Sequence, residues 1–279
     1  MASYFEILNS IKNELSCGGI PEADADAWLL FEYVTGIDRA GFFLHGHDEM
    51  PSGLEKKLGD LVTERLKRIP VQFLIGTCNF CGLDFKVSKD TLIPRFDTEV
   101  LAELVIKEAK GKDVLDLCTG TGCIIISVSR LGGAAFAAGT DISEGALLTA
   151  RENAETLGAN VEFYCGDLFD ALKEKNRKYD IIVSNPPYIK SADIESLAPE
   201  VKDNEPLTAL DGDEDGLEFY RRISFEAPGH LKPGGKIFYE IGCDQAEDVE
   251  NILRENGFTD IKTVKDLAGL DRVVHAVYR

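Results

Sequence analysis

The segment YDIIVSNPPY, residues 179–188, joins a short apolar, β-branched run to two consecutive prolines. A run such as Tyr179–Ser184 suits a strand buried in a parallel sheet. The prolines end it, because neither donates to a ladder and each fixes its own φ. The strand's carboxyl end therefore passes into a rigid turn, Asn185-Pro186-Pro187-Tyr188, that displays a side-chain amide, bare carbonyls and an aromatic ring. In open α/β sheets ligands bind at this end. A planar NH2 group entering there can give one N–H to the Asn185 side-chain oxygen and the other to the Pro186 carbonyl, while Tyr188 covers its face. A proline turn that only stops a strand is the plainer alternative, and the signals around it weigh against that.

From Lys112 onward strands and helices alternate. Strands are expected at Asp113–Leu117, Ala135–Thr140, Val161–Cys165, Asp180–Ser184, Lys236–Ile241, Asp260–Val264 and Arg272–Val277. Ile124–Leu131, Glu144–Leu157 and Gly216–Ala227 read as helices between the first five. This implies a mostly parallel sheet with helices on both faces, and the last two strands are close enough to form an antiparallel pair. The first strand runs into Asp116-Leu117-Cys118-Thr119-Gly120-Thr121-Gly122. Glycines there let backbone approach a ligand, and a helix N-terminus adds partial positive charge. The dinucleotide fingerprint fails because Ile125 stands where its third glycine belongs, and no Gly-Lys-Ser/Thr follows. Asp116 would repel a pyrophosphate yet suits an ammonium. Asp141 closes the second strand and is placed to accept both ribose hydroxyls. Asp167, after the third, can take an adenine amine. A nucleoside with a cationic amino-acid tail and no phosphate is S-adenosylmethionine.

The chain's 279 residues have room for one large domain and a small one. Residues 1–75 read as helical: Phe5, Leu8, Ile11 and Leu15 share a face, as do Ala23, Ala27, Leu30 and Val34. Leu54, Leu58, Leu61 and Leu66 mark a third helix closed by Pro70. Leu83, Phe85 and Val87 alternate, so residues 76–90 are expected to form a β-hairpin linker turning at Phe80-Cys81-Gly82. The N-terminus shows no basic segment followed by an apolar run, and no stretch approaches the roughly 20 apolar residues of a membrane span. Seven cysteines, an odd number, favour reduced thiols, and the whole fits a cytoplasmic enzyme. A formal charge of −19 repels phosphate backbones, which makes stable nucleic-acid binding a poor expectation.

These residues carry a resemblance. Leu92-Ile93-Pro94-Arg95, Asp97-Thr98-Glu99, the Asp116–Gly122 loop, Asp141-Ile142-Ser143, Asn185–Ile189, Glu205-Pro206, Ala209-Leu210, Asp215-Gly216-Leu217, Pro233-Gly234-Gly235, Glu240-Ile241-Gly242 and Lys265–Gly269 closely resemble the HemK/PrmC family. That family comprises protein-glutamine N5-methyltransferases acting on peptide chain release factors. The resemblance implies a Rossmann-like class I S-adenosylmethionine-dependent methyltransferase sheet of seven strands over 91–279, after a small helical substrate-recognition domain. It implies cofactor contacts from Asp116, Cys118, Thr119, Gly120, Thr121, Gly122, Asp141, Asp167, Leu168 and Asn185, with S-adenosylhomocysteine as product. Asn185, Pro186, Pro187 and Tyr188 would hold the glutamine of a class 1 release factor, and the Asp211–Gly216 loop would flank the entrance. Phe96 stands where the family has proline, and Cys118 replaces its first glycine, tolerable for a small side chain unless the position needs positive φ. The Asn-Pro-Pro-Tyr element alone is shared with enzymes that methylate exocyclic amines of DNA and RNA, which is the alternative reading.

Other signals are blander. Cys78 and Cys81 form a lone C-x-x-C, too few ligands for zinc. Asp211–Arg222 begins like a calcium loop but ends on Arg222 where glutamate is required. A glutamine amide nitrogen is a weak nucleophile because its lone pair is delocalised. Two acceptors holding its N–H groups would aim it at the methyl group by orientation alone, with no general base.

Overall fold

The computed structural model describes residues 2–279. It begins with helices α1 (Tyr4–Cys17), α2 (Ala23–Thr35), α3 (Arg39–His45), α4 (Ser52–Leu66) and α5 (Val71–Ile75). Strands β1 (Thr77–Phe80) and β2 (Leu83–Lys86) follow. The remainder runs α6 (Phe96–Glu108), β3 (Asp113–Leu117), α7 (Cys123–Ser127), β4 (Phe136–Asp141), α8 (Glu144–Thr156), β5 (Glu162–Cys165) and β6 (Tyr179–Ser184). It closes with α9 (Pro199–Lys202), α10 (Glu218–His230), β7 (Leu231–Glu240), α11 (Ala246–Glu255), β8 (Phe258–Lys265) and β9 (Asp271–Tyr278). The chain divides into two compact units: one through Gly76 with Ala198–Asn204, the other Thr77–Leu197 with Glu205–Arg279.

In the helical unit α1 starts at a capping box, Ser3 accepting from the Glu6 N–H while the Glu6 carboxylate accepts from the Ser3 N–H. Leu8, Ile11, Leu15, Ala27, Leu30 and Val34 pack into one core with Trp28, Phe31 and Leu58. Phe5, expected on that face, is instead half exposed, and Ile7 takes the buried place. The α4 helix stops at Leu66, four residues before Pro70, and short α3 and α5 carry no periodicity long enough to read. Residues 198–204 also depart from expectation, since they group with this unit. The cause is ionic. Buried Arg65 donates to Asp26 at 2.7 Å and to Glu200 at 3.1 Å, and Arg68 adds a bond to Glu200 at 3.3 Å.

The second unit is built on a seven-stranded sheet in the order β5-β4-β3-β6-β7-β9-β8. β3 to β7 are parallel, while β9 pairs antiparallel with both β7 and β8. Strand alternation sends Val114, Ile181, Val183 and Phe238 to one face against α6 and α7, and Leu115, Leu117, Ile182 and Tyr239 to the other against α10 and α11. The hairpin turns at Cys81-Gly82, both at positive φ as a tight two-residue loop demands. Phe80 and Phe85 are fully buried in the α6 and α7 layer, so the hairpin is part of this unit's core and not a free linker. After β3 the strand order reverses direction, which makes the β3–β6 junction the switch point where a crevice opens. Leu117 pairs with Thr140 on one side and Ser184 on the other, so the Cys118 loop, Asp141 and Asn185 leave adjacent strand ends.

Candidate active site

A cavity of about 410 Å³ lies at these strand ends. Cys118, Thr119, Gly120 and Thr121 line it from the β3 loop, Asp141 from β4, Asp167 and Leu168 from the turn after β5, and Asn185 and Pro187 from the turn after β6. Asp116, Gly122, Pro186 and Tyr188 are not among its lining residues. Sequence alone did not single out Leu92, Ile142, Leu207, Phe219 or Arg222 for this cavity, yet they line it too.

The β3 loop is held from beneath. Gly139 in β4 has no room for a side chain, since a Cβ there would lie 2.8 Å from the Thr119 hydroxyl oxygen. That space lets Thr119 donate to the Asp116 carboxylate at 2.6 Å. Asp116 is fully buried and its Oδ1 has no partner. Two residues back from the turn, its side chain supports the loop instead of reaching the cavity, which corrects the expectation of direct contact with an ammonium. Burial pushes its pKa up to about 7, the Thr119 bond opposing and the Asp141 charge reinforcing the rise.

Asp141 spans the loop above. Its Oδ2 accepts the Gly120 N–H at 2.9 Å and its Oδ1 the Ser143 N–H at 2.9 Å. Burial raises its pKa, with the Ser143 and Gly120 bonds pulling the other way. Because the Gly120 N–H is spent on a carboxylate and those of Thr119 and Gly122 on backbone carbonyls, few of the loop's N–H groups remain for a phosphate. Asp141 and Asp167, both on the cavity wall, suit a cationic nucleoside cofactor better than a phosphate. Asp167 is itself engaged, accepting from Arg222 at 2.6 Å.

The turn after β6 is anchored by neighbouring side chains, one of them, Thr98, also on the cavity wall. The Asn185 Nδ2 donates to Thr98 at 3.4 Å, and the Tyr188 hydroxyl donates to Glu240 at 3.3 Å. Tyr188 is not among the cavity-lining residues, and its bond to Glu240 makes it an anchor of the turn. Gln245 donates to the Tyr188 carbonyl at 3.0 Å. A Cβ on Gly216, whose φ is +76°, would sit 2.4 Å from that same carbonyl oxygen, which is why glycine occupies the position. The residues around Gly216 are fixed to the turn through the Gly212 N–H, which donates to Ile189 at 2.8 Å, and Asp211 reaches the cavity wall. Arg95, also in the wall, is paired with buried Glu205, while neighbouring Phe96 is exposed and outside the wall. Thr98 and Glu240 lie within motifs whose purpose strand reading does not expose; nothing in the sequence marks Gln245, and Arg222 enters it only as the residue that rules out a calcium loop.

Cys118 sits at φ +59°, so the position does require the left-handed region. A non-glycine residue there is strained by about 1–2 kcal/mol. Cys118→Gly is therefore expected to raise unfolding stability by about 1 kcal/mol, the extra freedom of glycine in the unfolded chain taking back part of the gain. Denaturant melts showing equal or lower stability would contradict this. Burial lifts the Cys118 thiol far above its ordinary range, so the residue does not act as a thiolate.

This sheet, with its carboxylates and glycine loop at the switch point, defines a class I S-adenosylmethionine-dependent methyltransferase. The model of the PrmC N-terminal domain matches residues 6–76 and that of the methyltransferase small domain matches 95–200. A release factor glutamine methyltransferase of Geobacter sulfurreducens is 41% identical over 271 residues, covering 96% of this chain and 94% of its own. One of Clostridium acetobutylicum is 42% identical over 257 residues, 90% of each. The chain belongs to the release factor glutamine methyltransferase family. Among solved structures, a methyltransferase from Pyrococcus furiosus has the same fold, with a TM-score of 0.53 at 20% identity over 77% of this chain and 98% of that one. A 16S rRNA N2 G1207 methyltransferase from T. thermophilus, in complex with AdoMet and guanosine, gives 0.52 at 20% identity over 73% and 50%.

Proposed function

We propose that this protein methylates the side-chain nitrogen of the glutamine in the Gly-Gly-Gln segment of class 1 peptide chain release factors. The observation that carries this reading is Asn185: a side-chain amide on the wall of the same cavity as Asp141 and the β3 loop. When bound, S-adenosylmethionine supplies an electrophilic methyl group on a sulfonium. Asp141 and the Cys118–Thr121 backbone would hold its nucleoside, with Asp167 and Leu168 against the base. Asp116 acts on it only through the loop that it supports.

The glutamine nitrogen needs orientation more than activation. The Asn185 Oδ1 takes one N–H. We assign the second acceptor to the Pro186 carbonyl, on the peptide joining buried Pro186 to cavity-lining Pro187. Both oxygens stabilise the positive charge that develops on nitrogen, and the proton leaves after transfer. No histidine is among the described residues of the cavity wall, so no imidazole base is assigned. The test is incubation with release factor and labelled methyl donor, followed by peptide mapping. A methyl group on glutamine nitrogen is expected, and one on lysine, arginine or a carboxylate overturns the reading.

We further assign protein-substrate recognition to residues 1–75, catalysis to 91–279 and a structural role to the hairpin within 76–90. Supporting the first is α3, which buries none of its residues and leaves Phe43 94% and Leu44 79% exposed. Bare aromatic and aliphatic side chains of this kind are what a partner covers. Replacing both by serine is expected to raise KM for release factor about 3–10-fold. Cofactor affinity should stay the same. An unchanged KM would move recognition elsewhere. A release factor substrate supports a cytoplasmic assignment, and a net charge of −19 argues against a stable nucleic-acid complex. No helix among the described residues is long and apolar enough to cross a membrane.

A further inference from the structure

An asparagine amide can face a cavity with either of its ends. Only the oxygen end can accept an N–H from a substrate amide; the NH2 end would repel it. On the methylation reading above, something must therefore fix which way Asn185 points, and the turn itself does not. The Asn185 Nδ2 reaches Thr98 Oγ1 at 3.4 Å, and Thr98 is only 2% exposed, on the first turn of α6. The Thr98 hydroxyl in turn faces the carboxyl of Glu240, at the end of β7, which is also 2% exposed. One Glu240 oxygen accepts from the Tyr188 hydroxyl at 3.3 Å, while the other, Oε2, has no partner.

A hydroxyl has one proton and two lone pairs, and a carboxylate only accepts. We propose that Thr98 is a positioning residue: its proton goes to the unpartnered Glu240 oxygen, so its lone pairs receive the Asn185 NH2 and the Asn185 oxygen is left facing the cavity. Glu240 thereby ties both ends of the tetrapeptide, Asn185 through Thr98 and Tyr188 directly. The charged groups that bear on it are Arg272, which favours the anion, and Asp97, which opposes it. Arg272 is itself held by Asp266 at 3.1 Å and by Asp97 at 3.3 Å. Burial raises the Glu240 pKa to about 7, with Thr98, Arg272 and Tyr188 each working to lower it, so the acceptor-only carboxylate that orders Thr98 in this way is the form that prevails above that pH. A buried carboxyl with a vacant acceptor beside a threonine hydroxyl has no evident purpose in packing alone, where leucine would serve better.

The test uses the full chain with release factor and S-adenosylmethionine. Thr98→Val preserves shape and removes the hydroxyl; it is expected to lower kcat about tenfold, the scale of one oriented hydrogen bond. KM for release factor and binding of S-adenosylhomocysteine should stay within about twofold, which is near the resolution of additive effects. Thr98→Ser keeps the hydroxyl and should recover most of the rate. In the Asn185→Ala background, Thr98→Val should cost nothing further, because it acts through the group already removed. Wild-type kcat in Thr98→Val, equal losses in the Val and Ser variants, or an additive loss on Asn185→Ala each overturn the proposal. If Thr98→Val does not fold, Glu240→Gln carries the same expectation, since its NH2 group can donate to Thr98 and reverse the chain. Absence of glutamine methylation by the wild-type protein overturns this inference and the function it rests on together; the variant results alone overturn only the inference.

Discussion

Asn185→Ala is expected to lower turnover about 10²–10³-fold, the loss seen when one preorganised polar group is deleted from an active site. The substitution removes the Asn185–Thr98 bond but keeps Pro186, Pro187 and the other two anchors of the turn, the Tyr188 hydroxyl on Glu240 and Gln245 on the Tyr188 carbonyl. The backbone should therefore hold its place while one acceptor disappears. Affinity for S-adenosylhomocysteine should fall far less than turnover, because the β3 loop and Asp141 are untouched. Single-turnover rates beside calorimetric binding of the product separate the two effects. Near-normal turnover would remove Asn185 from the chemistry, and a proportional loss of cofactor affinity would reassign it to cofactor binding.

The strands of the catalytic unit were legible because buried parallel strands are short β-branched runs cut off by glycine, proline and acidic residues. Tyr179–Ser184 ended where its prolines said it would. Less legible was anything that depends on a partner far along the chain. Glu200 sits 135 residues from Arg65, and no local pattern announces that residues 198–204 belong with the helices. The Asp116 reading failed for a subtler reason. An acidic residue just before a glycine loop looks like a ligand, but its side chain runs under the loop to Thr119 instead of into the cavity. Similarly, the aromatic ring of Tyr188 suggested a cover, and only the fold shows Glu240 waiting behind it. The positive φ of Cys118 is invisible in the sequence too, because the residue present is not the one that conformation favours.

Asp141→Ala is expected to weaken S-adenosylhomocysteine binding by about 2–3 kcal/mol, the upper part of the range for a charged acceptor. Its carboxylate holds the Gly120 and Ser143 N–H groups as well as facing the cavity, so its loss loosens the loop and removes a ligand group at once. Asp141→Asn keeps the shape but offers one acceptor oxygen in place of two, and should fall between the variant and the wild type. A second readout comes from Asp116. With a folded pKa near 7 and an unfolded value in the ordinary carboxylate range, the folded state holds this proton more tightly than the unfolded chain does. Stability from this group is therefore complete at acid pH, and declines as pH rises from about 4 towards 7. The Asp141 charge is one of the causes that lift Asp116, and Asp141's own pKa is raised by burial, so removing Asp141 lowers the folded pKa of Asp116, takes away a second titrating group and shrinks that decline on both counts. Denaturant melts of the ligand-free protein at pH 5 and pH 8 measure it without any cofactor. A folded Asp141→Ala protein with unchanged product affinity would take Asp141 out of the site, while an unchanged difference between the two pH values would contradict both the raised pKa of Asp141 and its coupling to Asp116.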